Sequence, residues 1–155
     1  MKKRNTYSVS LTLFILIFVL GIGCSKKEEN ASSEESGKSK INPMEVKGIG
    51  PVSKVDLGAL DAKRAGKGKT EFESKCSACH KIDEKVVGPA IKGITTRRTP
   101  EWIMNMILNP VEMTQKDPIA KELLEEHLTQ MTFQNVSQDE ARDMLEYFRQ
   151  VDEQK

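Results

Sequence analysis

The sequence is short of what most enzymes and disulfide scaffolds need. It holds three cysteines in 155 residues, an odd number that closes no disulfide framework. It holds two histidines, and no acid/base pair or nucleophile constellation stands out. Aromatic residues are 5 % of the chain and hydrophobic residues 37 %, so a core of side chains alone is thin. A bulky bound group would help to fill it. Net charge is only +1, which gives no general attraction to nucleic acid. No segment alternates apolar and polar residues as a half-buried strand does, and no internal repeat is visible. The length suits one domain, and the expected fold class is all-α.

The N-terminus reads as an export signal. Lys2, Lys3 and Arg4 are followed by an uncharged stretch to Gly23, nearly all apolar from Leu11 to Leu20. The apolar run is short of the about 20 residues of a membrane span. It ends in Leu20-Gly21-Ile22-Gly23-Cys24. This resembles a bacterial lipoprotein signal, in which small residues precede a cysteine that is lipidated and becomes the new N-terminus. Gly21 stands where such signals usually carry Leu, with Leu20 one step further back. The alternative is an uncleaved anchor helix. Either way the chain is exported and held at a membrane. Residues 1–23 are thus expected to be a signal peptide, with Cys24 as the lipidation site.

Residues 24–58 are expected to form a tether and an arm. Residues 25–40 are polar and charged without a large apolar side chain, a composition that cannot offset its ordering entropy. As a coil they reach roughly 20–25 Å. Residues 41–58 set Ile41, Met44, Val46, Ile49, Val52 and Val55 among Gly and Pro, the pattern of an extended arm.

The domain is expected over 59–155. Residues 59–75 read as a helix weakened by Gly66 and Gly68. Thr99-Pro100 opens a second, with Trp102, Ile103, Met106 and Ile107 at helical spacing, and Asn109-Pro110 ends it. Asp117-Pro118 opens a third, with Ile119, Leu123, Leu124 and Leu128 on one side. Ser137-x-x-Glu140 is a capping box for the last helix, which carries Ala141, Met144, Leu145 and Phe148.

Chemistry concentrates in Cys76-Ser77-Ala78-Cys79-His80, the C-x-x-C-H spacing of c-type haem attachment. Two thiols three residues apart can add to the two vinyl groups of one haem, and the adjacent His80 then offers an imidazole to the iron. A thioredoxin-like pair belongs near a βαβ pattern, which is absent. A zinc site needs four ligands, and only His127 and Cys24 remain to supply them. A plain Cys76–Cys79 disulfide leaves His80 without a role.

The surroundings extend the motif. Gly68, Phe72 and Cys76 are spaced four apart, Gly88-Pro89 follows the motif, and Met144 and Tyr147 lie on the last helix. Over about residues 59–150 this resembles the class I, mitochondrial-type cytochrome c family. The resemblance implies a small cytochrome c fold of four to five helices around one covalent haem c. It implies a close crossing of first and last helices at Gly68, Phe72, Met144 and Tyr147. It implies a Pro89 carbonyl holding the other nitrogen of His80, which fixes the ring tautomer. It points to Met131 as the second axial ligand, in the loop before the last helix, although Thr132 stands where relatives carry Pro. Met113 and His127 are the rival ligands, and an open site is the remaining alternative. Met104 and Met106 read as core, and His127 reads as a partly exposed helical residue. In similar cytochromes a tryptophan and basic side chains meet the haem propionates, which makes Trp102, Arg97 and Arg98 candidates.

Charge is unevenly placed. Residues 62–98 hold ten basic and four acidic residues, a balance of +6; residues 99–155 hold five and twelve, a balance of −7. Lys75, Lys81 and Lys85 are the expected docking lysines for an acidic partner. The expected function is a monomeric, lipid-anchored, periplasmic or otherwise extracytoplasmic one-electron carrier, not an enzyme. Its partners would be a quinol-oxidising complex as donor and a terminal oxidase or reductase as acceptor. The competing expectation is a haem enzyme or gas-binding sensor with an open distal site.

Overall fold

A computed structural model describes residues 41–154. The signal, Cys24 and the polar tether lie outside the described residues. Six helices follow in order: α1 Ala62–Lys75, α2 Ile94–Arg97, α3 Pro100–Leu108, α4 Pro110–Lys116, α5 Pro118–His127 and α6 Gln138–Glu153. There is no strand among the described residues, and none of their helices is long and apolar enough to cross a membrane. The architecture is the all-α one expected.

The helix starts follow from local chemistry. Asp61 accepts from the Lys63 and Arg64 N–H groups, Thr99 from Trp102 and Asp117 from Ala120. Ser137 and Glu140 exchange hydrogen bonds as a complete capping box. Each satisfies N–H groups that a helix start leaves without partners.

Three elements differ from expectation, the first being α2, a single turn where no helix was expected. Asn109-Pro110 ends α3 but starts α4 at once, because Pro suits a first helical position. Leu128, expected on the apolar face of α5, instead caps that helix in the left-handed region (φ 52°) and is 86 % exposed.

The frame is the α1–α6 crossing. A Cβ on Gly68 would overlap the Asp143 carbonyl and come within 2.7 Å of the Met144 nitrogen, so only glycine lets the backbones approach this closely. Beside it Phe72 packs against Tyr147 and Phe148, with ring centroids 5.7 and 5.8 Å away. Arg64 adds an ion pair to Asp143 at 2.7 Å.

The arm, residues 41–58, is ordered against α3 and α4. Buried Asn105 accepts from the Val52 N–H and donates to the carbonyls of Lys47 and Val52, all at 2.9 Å. Thr99 donates to the Val46 carbonyl, and the Ile49 N–H donates to Met113 Sδ at 2.9 Å. The last turn into α1 is held by Glu146, which accepts from the Asp61 N–H, while Arg149 donates to the Gly58 carbonyl. The Glu146 carboxylate is fully buried and paired with Arg142 and Arg149. Burial pushes its pKa up, but Arg142, the Asp61 N–H and Arg149 outweigh it and hold it below the ordinary value.

Candidate haem site

α1 delivers the first thiol. Its C-terminal turn runs directly into the motif, with the Cys76 N–H donating to the Phe72 carbonyl and the His80 N–H to the Cys76 carbonyl. Cys76 is half-buried and Cys79 exposed, and neither forms a disulfide. Burial pushes the Cys76 thiol pKa up, and the thiol donates to Met144 Sδ at 3.9 Å.

His80 is oriented by the loop that follows it. Its Nδ1 lies 3.0 Å from the Pro89 carbonyl oxygen. A carbonyl only accepts, so Nδ1 carries the proton and Nε2 keeps its lone pair for a metal. Gly88 sits against the ring: a Cβ there would lie 2.7 Å from Nδ1 and overlap Cε1. The Gly88 N–H also returns to the Cys79 carbonyl at 2.8 Å, which closes the loop.

These residues border a cavity of about 320 Å³. Its walls are mostly apolar, with Phe72 from α1, Ile103 and Ile107 from α3, Leu123 from α5, and Met144 and Phe148 from α6. Cys76, Cys79, His80 and Pro89 line one side of the chain's path around it, and Met131 lines it from the loop before α6. An apolar cleft, two free thiols and an imidazole of fixed tautomer fit a planar, covalently held haem.

The rival ligands are placed differently. Met113 is a helical residue of α4, fully buried, and its sulfur already accepts the Ile49 N–H. It is absent from the cavity wall. His127 does reach the wall, and its side chain is 5 % exposed rather than partly open. Its Nδ1–H donates to the Val87 carbonyl at 3.2 Å, and its Nε2 lies 3.6 Å from a Glu126 carboxylate oxygen. Met106 lines the cavity, whereas Met104 is buried in the core.

Trp102 also lines the cavity, but its indole N–H goes to buried Asp117 at 3.1 Å. Asp117 thereby joins α3 to the start of α5 as well as capping it. Arg97 is exposed and donates to the carbonyls of Lys92 and Ala90. Arg98 lies over the Trp102 ring, 5.2 Å from its centroid, and its buried Nε has no hydrogen-bond partner. Sequence reading missed Asp117 as a Trp102 partner and Asn105 as the arm's anchor. Asn105 did carry a signal, as a polar residue between two methionines in a mostly apolar helix. The second role of Asp117 left none, since a helix cap already accounts for Asp before Pro.

An all-α domain built around a C-x-x-C-H loop and an apolar cavity is, as a class, a c-type haem protein. Residues 65–152 match the cytochrome c family model, and the chain belongs to the cytochrome c family. It carries one covalent haem c, attached through Cys76 and Cys79. A cytochrome c from Rhodothermus marinus is similar in structure, with a TM-score of 0.67 and 46 % identity over 68 % of this chain and 92 % of the other. An engineered cytochrome c from the same organism, bound to a carbene intermediate, has a TM-score of 0.63 and 45 % identity over 67 % and 91 %. The cytochrome c domain of a Pseudomonas putida protein shares the fold at 23 % identity, with a TM-score of 0.51 over 56 % and 89 %. No curated protein sequence matches the chain significantly. The family makes the chain a c-type electron carrier with redox protein partners, of a kind typically found outside the cytoplasm.

Proposed function

We propose that the protein is a monohaem carrier whose distal site is closed by Met131, with His80 as the proximal ligand. One observation supports this above the rest. Met131 lines the same cavity as His80, while the Met113 sulfur accepts the Ile49 N–H away from that cavity and the His127 Nε2, the nitrogen a metal would need, lies 3.6 Å from a Glu126 carboxylate oxygen. Haem c supplies a one-electron iron couple, and a Met/His pair raises its potential while leaving no coordination site for substrate. The chain then supplies ligands, an apolar pocket and a docking face. Pro89 holds the His80 tautomer, and Trp102 contributes its ring to the pocket. Outside the described residues, the signal-like N-terminus supports lipidation at Cys24 and tethering to a membrane facing the periplasm. There the carrier would link a quinol-oxidising complex to a terminal oxidase or reductase.

The test is carbon monoxide added to the reduced holoprotein. The expected outcome is no rapid binding in the natural sequence. Met131→Ala should bind carbon monoxide rapidly and lose the Met–iron charge-transfer band. Rapid binding without any substitution would sink the closed-site reading. It would favour the second reading, a ligand-binding haem protein, which the carbene-bound engineered relative also brings forward.

A further inference from the structure

The segment that carries Met131 is thinly held. It leaves α5 through Leu128 and nears α6 through Asn135, both in the left-handed region (φ 52° and 51°). Among the described residues, no backbone–backbone hydrogen bond involves residues 129–136. Val136 is buried in the core at one end, while Thr129, Gln130, Thr132, Phe133 and Gln134 are exposed. A segment with few buried contacts and no backbone bonds of its own opens at low cost. An axial methionine on it competes with outside ligands only as well as the segment is held.

One hydrogen bond ties the segment to a helix. Thr114 Oγ1, on α4, lies 2.9 Å from Gln130 Oε1, and Gln130 Nε2 lies 2.9 Å from the Met131 carbonyl oxygen. A carbonyl only accepts, so the amide nitrogen of Gln130 faces it and the amide oxygen faces Thr114. The Thr114 hydroxyl has one proton, and the carbonyls of Pro110 and Val111 stand at 3.0 and 2.9 Å as competing acceptors. Giving the proton to either would leave Oγ1 and Oε1 facing each other with no hydrogen between them. The proton therefore goes to Gln130. Thr114 is buried, and both residues line the cavity, so a haem filling it shields their bond from water.

We propose that Thr114 and Gln130 are positioning residues for the distal ligand: the α4 hydroxyl fixes the Gln130 amide, and the amide fixes the Met131 carbonyl, so that the Met131 side chain stays turned into the cavity. Both act through Met131 and supply no ligand themselves. This latch holds the segment in advance, which removes part of the ordering entropy it would otherwise lose on ligation. Met131 is thereby favoured over any ligand from solution. The proposal rests on the closed-site reading and names what keeps that site closed.

The test titrates imidazole into the ferric full-length holoprotein and follows loss of the Met–iron charge-transfer band. Thr114→Val, which keeps the side chain's shape without its hydroxyl, and Gln130→Ala should each raise imidazole affinity about tenfold, the scale of one hydrogen bond. Thr114→Ser keeps the hydroxyl and should return the affinity to that of the natural sequence. In a Met131→Ala background, followed by the shift of the main haem absorption, Thr114→Val should add nothing, because the latch acts only through the methionine. Asn105→Ala, which loosens the arm, should leave the affinity as it is. Unchanged affinity in both Thr114→Val and Gln130→Ala would overturn the latch while leaving the closed site intact. An equal gain in Asn105→Ala, or a further gain in the Met131→Ala background, would overturn it too. Absence of the Met–iron band from the natural protein would overturn the closed-site reading and the latch with it.

Discussion

Glu140 does two jobs with one carboxylate. It closes the capping box of α6 through the Ser137 N–H at 2.6 Å, and it pairs with Lys75 at the end of α1, next to Cys76. Lys75 first, and Ser137 after it, hold the Glu140 pKa down from the ordinary 4.5 to about 2. A depressed carboxylate adds stability that is fully present above its unfolded pKa and lost as pH falls through the folded one. Glu140→Gln should therefore lower the urea midpoint at neutral pH. The gap to the natural protein should narrow from about pH 4.5 downward and close near pH 2. Urea melts at intervals across that range decide it. A gap that does not change with pH would show that the pair contributes nothing through its charge. The side chain is exposed enough that salt should shrink the effect as well.

Among the elements, the arm is the one whose anchoring was hardest to foresee. Its apolar residues suggested packing, but its partner surface depends on Asn105, 53 residues away from Val52. No local pattern encodes a hydrogen bond across that separation. Helix starts are different, because Thr99, Asp117 and Ser137 cap residues within three positions of themselves. They were legible for that reason, whereas the Gly68 crossing was legible only through the family resemblance that Gly68, Phe72 and Cys76 carry. α4 was not legible, since Pro110 reads equally as a stop and as a first turn. In the site, the attachment motif stood out as residue types at fixed spacing and the family resemblance pointed to Met131, whereas the partners of Met113 and His127 depend on the fold. Asn105→Ala leaves one N–H and two carbonyls of the arm without their partner. Unsatisfied groups cost about 1–3 kcal/mol each, less where the arm can lift into water, so a loss of about 3 kcal/mol is expected. The urea midpoint should fall, and protease should cut within residues 41–58, while the haem spectrum stays as it was. An unchanged midpoint would mean that the arm is decoration on a self-sufficient domain.

At the scale of the whole molecule, the cavity stands where a core would be. Phe72, Ile103, Leu123, Met131 and Phe148 come from α1, α3, α5, the loop before α6 and α6 itself, and they meet across it. The side-chain core shares its walls with this space, since Phe72, Trp102, Ile103, Ile107, Met144 and Phe148 belong to both. Without haem this apolar cleft would expose its walls to water or collapse, against a total stability that is commonly about 5–15 kcal/mol for a domain. The haem is thus expected to decide whether the chain folds, and not only what it does once folded. Cys76→Ala/Cys79→Ala, which removes both attachment points, should yield an apoprotein that has lost most of its helical far-UV circular dichroism at 25 °C. Non-covalent haem added to that variant should restore helix in proportion to what binds, since His80, and Met131 on the proposed reading, remain to hold it. If the apoprotein instead kept its full helix signal and a cooperative melt, the α1–α6 crossing and the arm would suffice as a core, and the haem would be a guest in a preformed fold.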